Sequence, residues 1–173
     1  MATGLAKTYD PKAVEDRIYR AWERSGFFNP DKLPPTRYPL SAKPFTVIMP
    51  PPNANGALHI GHAVFVTLQD IMTRFWRMRG RRALWLPGAD HAGFETQVVF
   101  DKKLEKEGRS RSDVPRDQLY AEMLAFTLGN KKTMEAQLRK LGASCDWSRE
   151  KFTLDPDIVE MVKIGRASCR ERV

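Results

Sequence analysis

The segment Pro50-Pro51-Pro52-Asn53-Ala54-Asn55-Gly56-Ala57-Leu58-His59-Ile60-Gly61-His62 joins two different periodicities. Before it, Phe45-Thr46-Val47-Ile48-Met49 is a short run of apolar and β-branched residues that predicts a buried strand. After it, Val64, Leu68, Ile71, Phe75 and Met78 recur at helical spacing. They predict one apolar stripe on a helix from about Gly61 to Arg79, ended by Gly80. A strand, a turn-rich loop and a helix open a βαβ unit, in which a ligand lies at the carboxyl end of the strand beside the helix N-terminus. The predicted class is therefore α/β. It is the first half of a Rossmann-like parallel-sheet nucleotide-binding domain, preceded by a docking helix, followed by helices, and truncated.

His59 and His62 are three residues apart and fall on one side of the first helical turn. The free N–H groups and the dipole at that end favour an anion. Two imidazoles would add hydrogen bonds to phosphate oxygens without a fixed charge at neutral pH. Gly61 lets a flat or bulky group approach the backbone. The pattern points to a nucleoside triphosphate and to stabilisation of charge on a phosphate under attack. Two other readings compete. A His-x-x-His pair occurs by chance on many surfaces. A zinc site needs three or four ligands, and the sequence offers only His91 besides, with no Cys-x-x-Cys, so no metal site is expected.

Upstream, Asp10 caps and Pro11 opens a helix with Val14, Ile18 and Trp22 on its apolar stripe and Gly26 as its stop. Residues 28–43, with Pro30, Pro34, Pro35 and Pro39, predict a connector running extended over the surface. Downstream, Asp70 and Arg74 form an i,i+4 pair on the polar side of the central helix. Arg74, Arg77, Arg79, Arg81 and Arg82 cluster at its end, where solvated cations complement the dipole; contact with RNA is the other reading. Ala83-Leu84-Trp85-Leu86 predicts a second, parallel strand. The turn Gly88-Ala89-Asp90-His91-Ala92-Gly93 then falls on the same sheet edge as the first loop. Asp90 there could hold a substrate ammonium or cap the next helix. Helices are predicted from Glu95 to Glu107 and from Pro115 to Gly142, and Cys145 reads as a small packed residue.

The length of 173 residues suits one domain or part of a larger one. With 29 Lys plus Arg against 21 Asp plus Glu, the net charge of +8 favours a polyanionic partner. Two cysteines make no disulfide framework and suit a reducing compartment. Met1 to Asp10 lacks an apolar targeting core and no run is long enough to span a bilayer. A cytoplasmic location with no membrane partner is the expectation.

Taken together, Pro-Pro-Pro-Asn and Gly-x-Leu-His-Ile-Gly-His resemble the signature of class I aminoacyl-tRNA synthetases. Within that class, four further features are similar to the enzymes for valine. They are the Asp90-His91-Ala92-Gly93 turn, Thr96-Gln97, Arg77-Met78-Arg79-Gly80, and Leu141 through Glu150. The resemblance runs from Tyr9 to about Thr153. Departures fall at Ala54-Asn55, where those enzymes usually show Val-Thr, at Ala89 in place of Thr, and at Phe94-Glu95 in place of Ile-Ala.

The resemblance implies ATP-dependent activation of L-valine and transfer to tRNA(Val), with Mg2+ accompanying ATP and no DNA partner. It implies that His59 and His62 are catalytic. It places ATP against Asn53, His59, Gly61 and His62, and the amino acid against Pro50, Pro51 and Asp90. It also implies an editing domain and a Lys-Met-Ser-Lys-Ser loop that the sequence does not contain. The remaining alternatives are an isoleucine-type synthetase, another His-x-Gly-His nucleotidyltransferase, and a non-catalytic module that binds RNA or a protein partner.

The last residues, Ile164 to Val173, depart from the family's apolar pattern. They can be encoded as ATC GGA AGA GCG TCG TGT AGG GAA AGA GTG, which resembles a sequencing adapter read in one frame. The expected division is therefore 1–43 as helix and connector, 44–162 as half of a catalytic domain, and 163–173 as a non-native tail.

Overall fold

The computed structural model describes residues 8–170, with side chains described through Ile164. In chain order the elements are α1 (Pro11–Arg24), β1 (Phe45–Ile48), α2 (Ile60–Met78), β2 (Ala83–Leu86), β3 (Gly88–Ala89), α3 (Gly93–Lys106), α4 (Arg116–Lys140), β4 (Lys151–Phe152) and α5 (Pro156–Arg170). The β1–α2–β2 unit is the predicted one: β1 and β2 pair in parallel, from Phe45 opposite Ala83 to Ile48 opposite Leu86. The sheet then steps sideways. β3 pairs in parallel with β4, which is supplied from beyond the long helix α4. Two short parallel ladders thus replace one continuous half-sheet.

α1 forms where its caps dictate. The Asp10 carboxylate accepts the Lys12 N–H at 3.0 Å, Pro11 sits in the first turn, and Gly26 takes the left-handed conformation (φ +78°) just past the last turn. The helix docks through Tyr19, whose hydroxyl donates to the Ala143 carbonyl at 2.7 Å and accepts from the Trp147 indole N–H at 2.7 Å. Tyr19 lies outside the predicted stripe, and Trp22 on that stripe is 42% exposed. The Pro-rich connector is not a surface run either. Leu33 and Tyr38 are 4% exposed, because turns and a short 3-10 segment at Pro30–Lys32 fold them inward.

The principal core joins Met49, Val66, Trp85, Leu138, Ala143 and Cys145. Cys145 is fully buried and burial pushes its thiol pKa up, as a packed small residue requires.

α2 packs the opposite way from its apolar stripe. Val66, Thr73 and Arg77 are its buried residues, while Val64, Leu68, Ile71, Phe75 and Met78 are 57%, 57%, 58%, 48% and 72% exposed. Apart from Val66, the inner face is polar and is satisfied by partners far off in sequence. Gln69 Oε1 accepts from the Trp85 indole N–H at 2.9 Å. Asp70 accepts from the Ser144 N–H at 3.1 Å and pairs with Arg74 at 2.6 Å. Arg77 donates to Ser144 Oγ at 2.6 Å and to the Ser144 carbonyl at 2.9 Å. Arg77, read as a solvated cation, is in fact buried, and burial lowers its pKa to about 10.

The exposed stripe has a measurable consequence. Replacing Leu68 and Phe75 together by lysine should change unfolding free energy in urea by less than about 0.5 kcal/mol. It should also reduce binding of a hydrophobic dye. A loss of several kcal/mol would mean that the stripe is a core face after all.

Candidate functional site

The loop after β1 and the turn after β2 run side by side. Met49 N–H donates to the Leu86 carbonyl at 2.9 Å, Asp90 N–H to the Pro52 carbonyl at 2.9 Å, and Ala54 N–H to the Asp90 carbonyl at 2.7 Å. Asn53 and Asp90 face each other in a parallel bridge. At Gly88 the backbones come so close that a Cβ would meet the Lys151 carbonyl at 3.3 Å and Pro51 Cβ at 3.6 Å. A side chain there would press on the β4 backbone, which would have to give by a few tenths of an ångström.

His59 and His62 cap α2 and each other. His59 Nδ1 accepts the Gly61 N–H at 3.1 Å, and His62 Nδ1 accepts the His59 N–H at 3.2 Å. This is a capping box built from two imidazoles rather than from serine and glutamate. Because each Nδ1 accepts a proton bond, each neutral ring must carry its own proton on Nε2. The helix start therefore presents two Nε2–H donors, with ring centroids 4.1 Å apart, in the positive field of the helix end. Burial and the neighbouring His59 hold the His62 pKa below its ordinary value. Gly61 has a tighter role than the one expected from sequence. A Cβ there would lie 2.9 Å from His59 Cε1, so a side chain would displace the capping ring itself.

A pH dependence follows. Protonation puts a hydrogen on Nδ1 and breaks the cap, so the folded state prefers neutral His62. With the folded pKa depressed, the His62 contribution is complete above the unfolded value of 6.5 and is lost as pH falls below it. Urea midpoints should drop between pH 7.5 and pH 5.5, and His62→Gln should flatten that part of the profile.

Pro50, Pro51, Asn53, His59, His62 and Glu95 share the lining of one cavity of about 390 Å3. The expected ATP and amino-acid residues are thus brought together, with two exceptions. Gly61 stands behind His59, and Asp90 sits on the adjoining turn, bridged to Asn53. Asp90 Oδ1 accepts from the Ala92 N–H at 3.0 Å and the Thr153 hydroxyl at 3.1 Å. Ala92 itself is held at φ +55°, a left-handed conformation that costs a non-glycine residue about 1 kcal/mol and marks a constrained turn.

Glu95 and Thr153 join the site although no local motif marks either as a site residue. Glu95 Oε2 accepts from Asn53 Nδ2 at 2.7 Å and puts a carboxylate on the cavity wall. A single carboxylate beside an anion site suits Mg2+, which is ordinarily held by one or two carboxylates plus substrate phosphates. Among the described residues no three His, Cys, Asp or Glu side chains gather as a metal site. A larger cavity, about 500 Å3, lies between α3 and α4 and meets this region at His91 and Gly93.

A family model described as tRNA synthetases class I (I, L, M and V) matches residues 17–166. The chain belongs to this family. Its curated relatives include the valine–tRNA ligase of Caulobacter vibrioides, 49% identical over 160 residues, covering 92% of this chain and 17% of that protein. The chloroplastic/mitochondrial valine–tRNA ligase 2 of Arabidopsis thaliana is 46% identical over 157 residues, covering 91% of this chain and 15% of that protein. The fold is that of the LeuRS–tRNA–LeuAMS ternary complex from Agrobacterium radiobacter K84. The TM-score is 0.67 at 23% identity, over 88% of this chain and 17% of that one. The chain spans about 17% of the first relative's length.

Two of the departures from the valine pattern are neighbours in space. Ala54 and Ala89, 0% and 1% exposed, lie in one buried cluster with Met134 and Phe152. Both are small, and a flexible methionine fills the space they leave.

Proposed function

We propose that this chain is the first half of the catalytic domain of a valine–tRNA ligase, which activates L-valine with ATP and transfers it to tRNA(Val). The observation that carries the reading is the pair of Nε2–H donors on His59 and His62, facing the same cavity as Pro50, Pro51 and Asn53. The valine carboxylate oxygen attacks the α-phosphorus of ATP, the bond from that phosphorus to the bridging oxygen breaks, and pyrophosphate leaves. His59 and His62 donate to phosphate oxygens as negative charge grows on them, and need not gain or lose a proton. Asp90 holds the α-ammonium with Oδ2, since its bonds to the protein fall on Oδ1. Pro50 and Pro51 border the valine side chain and Asn53 shapes the loop. No covalent enzyme intermediate forms, so positioning and charge stabilisation carry the rate. A terminal ribose hydroxyl of the tRNA then attacks the valyl carbonyl and AMP leaves. A hydrophobic side-chain pocket for valine would reject threonine by only ~10²-fold.

No helix among the described residues is long and apolar enough to cross a membrane, which suits the proposed cytoplasmic setting. We further propose that Ile164 to Val173 are adapter-derived, a point settled by resequencing the gene across codon 163. The test of function is aminoacylation. The full reading frame should charge tRNA(Val) with valine, and the 173 residues alone should charge nothing. Charging of tRNA(Ile) with isoleucine in its place would overturn the valine assignment.

A further inference from the structure

We infer that Thr153 is a positioning residue for the amino-acid end of the site, and that it makes His91 a hydrogen-bond acceptor there, opposite in role to His59 and His62. The inference rests on the ligase reading only for the identity of the substrate.

Thr153 lies at the end of β4, where its N–H donates to the Ala89 carbonyl at 3.1 Å. Its hydroxyl oxygen makes three contacts: the His91 N–H at 2.9 Å, His91 Nδ1 at 2.6 Å and Asp90 Oδ1 at 3.1 Å. A hydroxyl has one proton to give and two lone pairs to receive. The His91 backbone N–H can only donate, so it takes one lone pair. An ionised carboxylate can only accept, so the hydroxyl proton belongs to Asp90. The remaining lone pair faces His91 Nδ1, which must therefore carry the ring proton. In the reverse arrangement, with the hydroxyl donating to Nδ1, its oxygen would turn a lone pair toward the carboxylate. The neutral His91 ring is accordingly the Nδ1–H tautomer, and its Nε2 is a free acceptor. The same turn is fixed from the other side by the Thr96 hydroxyl, which donates to the His91 carbonyl at 2.6 Å.

One hydroxyl thus sets the tautomer of His91 and, together with the Ala92 N–H, holds the Asp90 carboxylate. The site then holds two kinds of imidazole, donors at the α2 start for phosphates and an acceptor beside the ammonium carboxylate. Removing the Thr153 hydroxyl leaves Asp90 Oδ1 held by the Ala92 N–H alone and lets the His91 proton move, and nothing in its bonding touches the phosphate end.

Two measurements test this. In the full-length ligase, Thr153→Val should raise KM for valine about 10- to 100-fold and leave KM for ATP within about twofold. Thr153→Ser should restore both, since its hydroxyl can make the same three contacts. A Thr153→Val enzyme with unchanged valine KM, or with ATP KM raised equally, overturns the inference. Nitrogen-15 spectra of the 173-residue chain decide the tautomers independently of catalysis. His91 should show protonated Nδ1 and bare Nε2, with the reverse at His59 and His62. Thr153→Val should abolish the His91 pattern and Thr153→Ser should keep it. An Nε2–H tautomer at His91 in the wild-type chain overturns the assignment. Absence of valine-dependent activity in the wild-type enzyme, with the tautomers as stated, would instead remove the ligase reading and leave Thr153 in its place.

Discussion

His59→Asn should lower the rate of valine-dependent ATP–pyrophosphate exchange by about 10²- to 10³-fold while leaving unfolding free energy within about 0.5 kcal/mol of wild type. The separation comes from the two nitrogens of one ring. Nδ1 caps α2 by accepting the Gly61 N–H, and an asparagine side-chain oxygen can replace it, since asparagine is among the best N-cap residues. Nε2–H is the donor offered to phosphate, and asparagine has nothing at that reach. His59→Ala removes both and should add a stability loss of about 1 kcal/mol. The His62 side chain makes the reciprocal cap, so His62→Gln should follow the same kinetic pattern. KM for valine should hardly move in any of them. If His59→Asn loses stability but keeps its rate, the histidines are structural caps and the proposed phosphate chemistry fails.

Arg77→Met should destabilise the chain by about 3 to 5 kcal/mol, the largest single effect expected. Arg77 is 8% exposed, and its guanidinium reaches Ser144 Oγ, the Ser144 carbonyl and, at 3.4 Å, the Phe28 carbonyl. Methionine fills the volume but leaves these acceptors without their donor. Arg77→Lys should recover less than half of the loss, because one ammonium cannot span Phe28 and Ser144 together. Urea unfolding by far-ultraviolet circular dichroism reads both. A loss below about 1 kcal/mol for Arg77→Met would mean that the connection from α2 to residue 144 contributes little.

These two sites show what a sequence reveals and what it hides. β1, the His-containing loop, β2 and the caps of α1 were legible because turn residues, caps and β-branched runs act within a few residues of themselves. The orientation of α2 was not. Its stripe has the right period, but beside Val66 the inner face is Gln69, Asp70, Thr73 and Arg77, made tolerable by Trp85 and by Ser144, the latter 74 residues beyond Asp70. Periodicity reports that a helix has two faces; distant partners decide which one is buried. The same distance hid Thr153, which bonds Asp90 across 63 residues, and Tyr19, which bonds Ala143 across 124. Gly61 was expected to give a ligand access to the backbone, but its tight neighbour is the His59 ring. Glu95 was visible only as a departure from a pattern, and the structure gives it a partner in Asn53.

The measurement that bears most directly on this account is amino-acid-dependent ATP–pyrophosphate exchange by the full-length gene product, run in parallel with valine, isoleucine, threonine and methionine. A valine–tRNA ligase with this site should show exchange with valine, weaker exchange with threonine, and loss of the valine signal in His59→Asn. Exchange that favours isoleucine or methionine, or that survives His59→Asn at the wild-type rate, would contradict it.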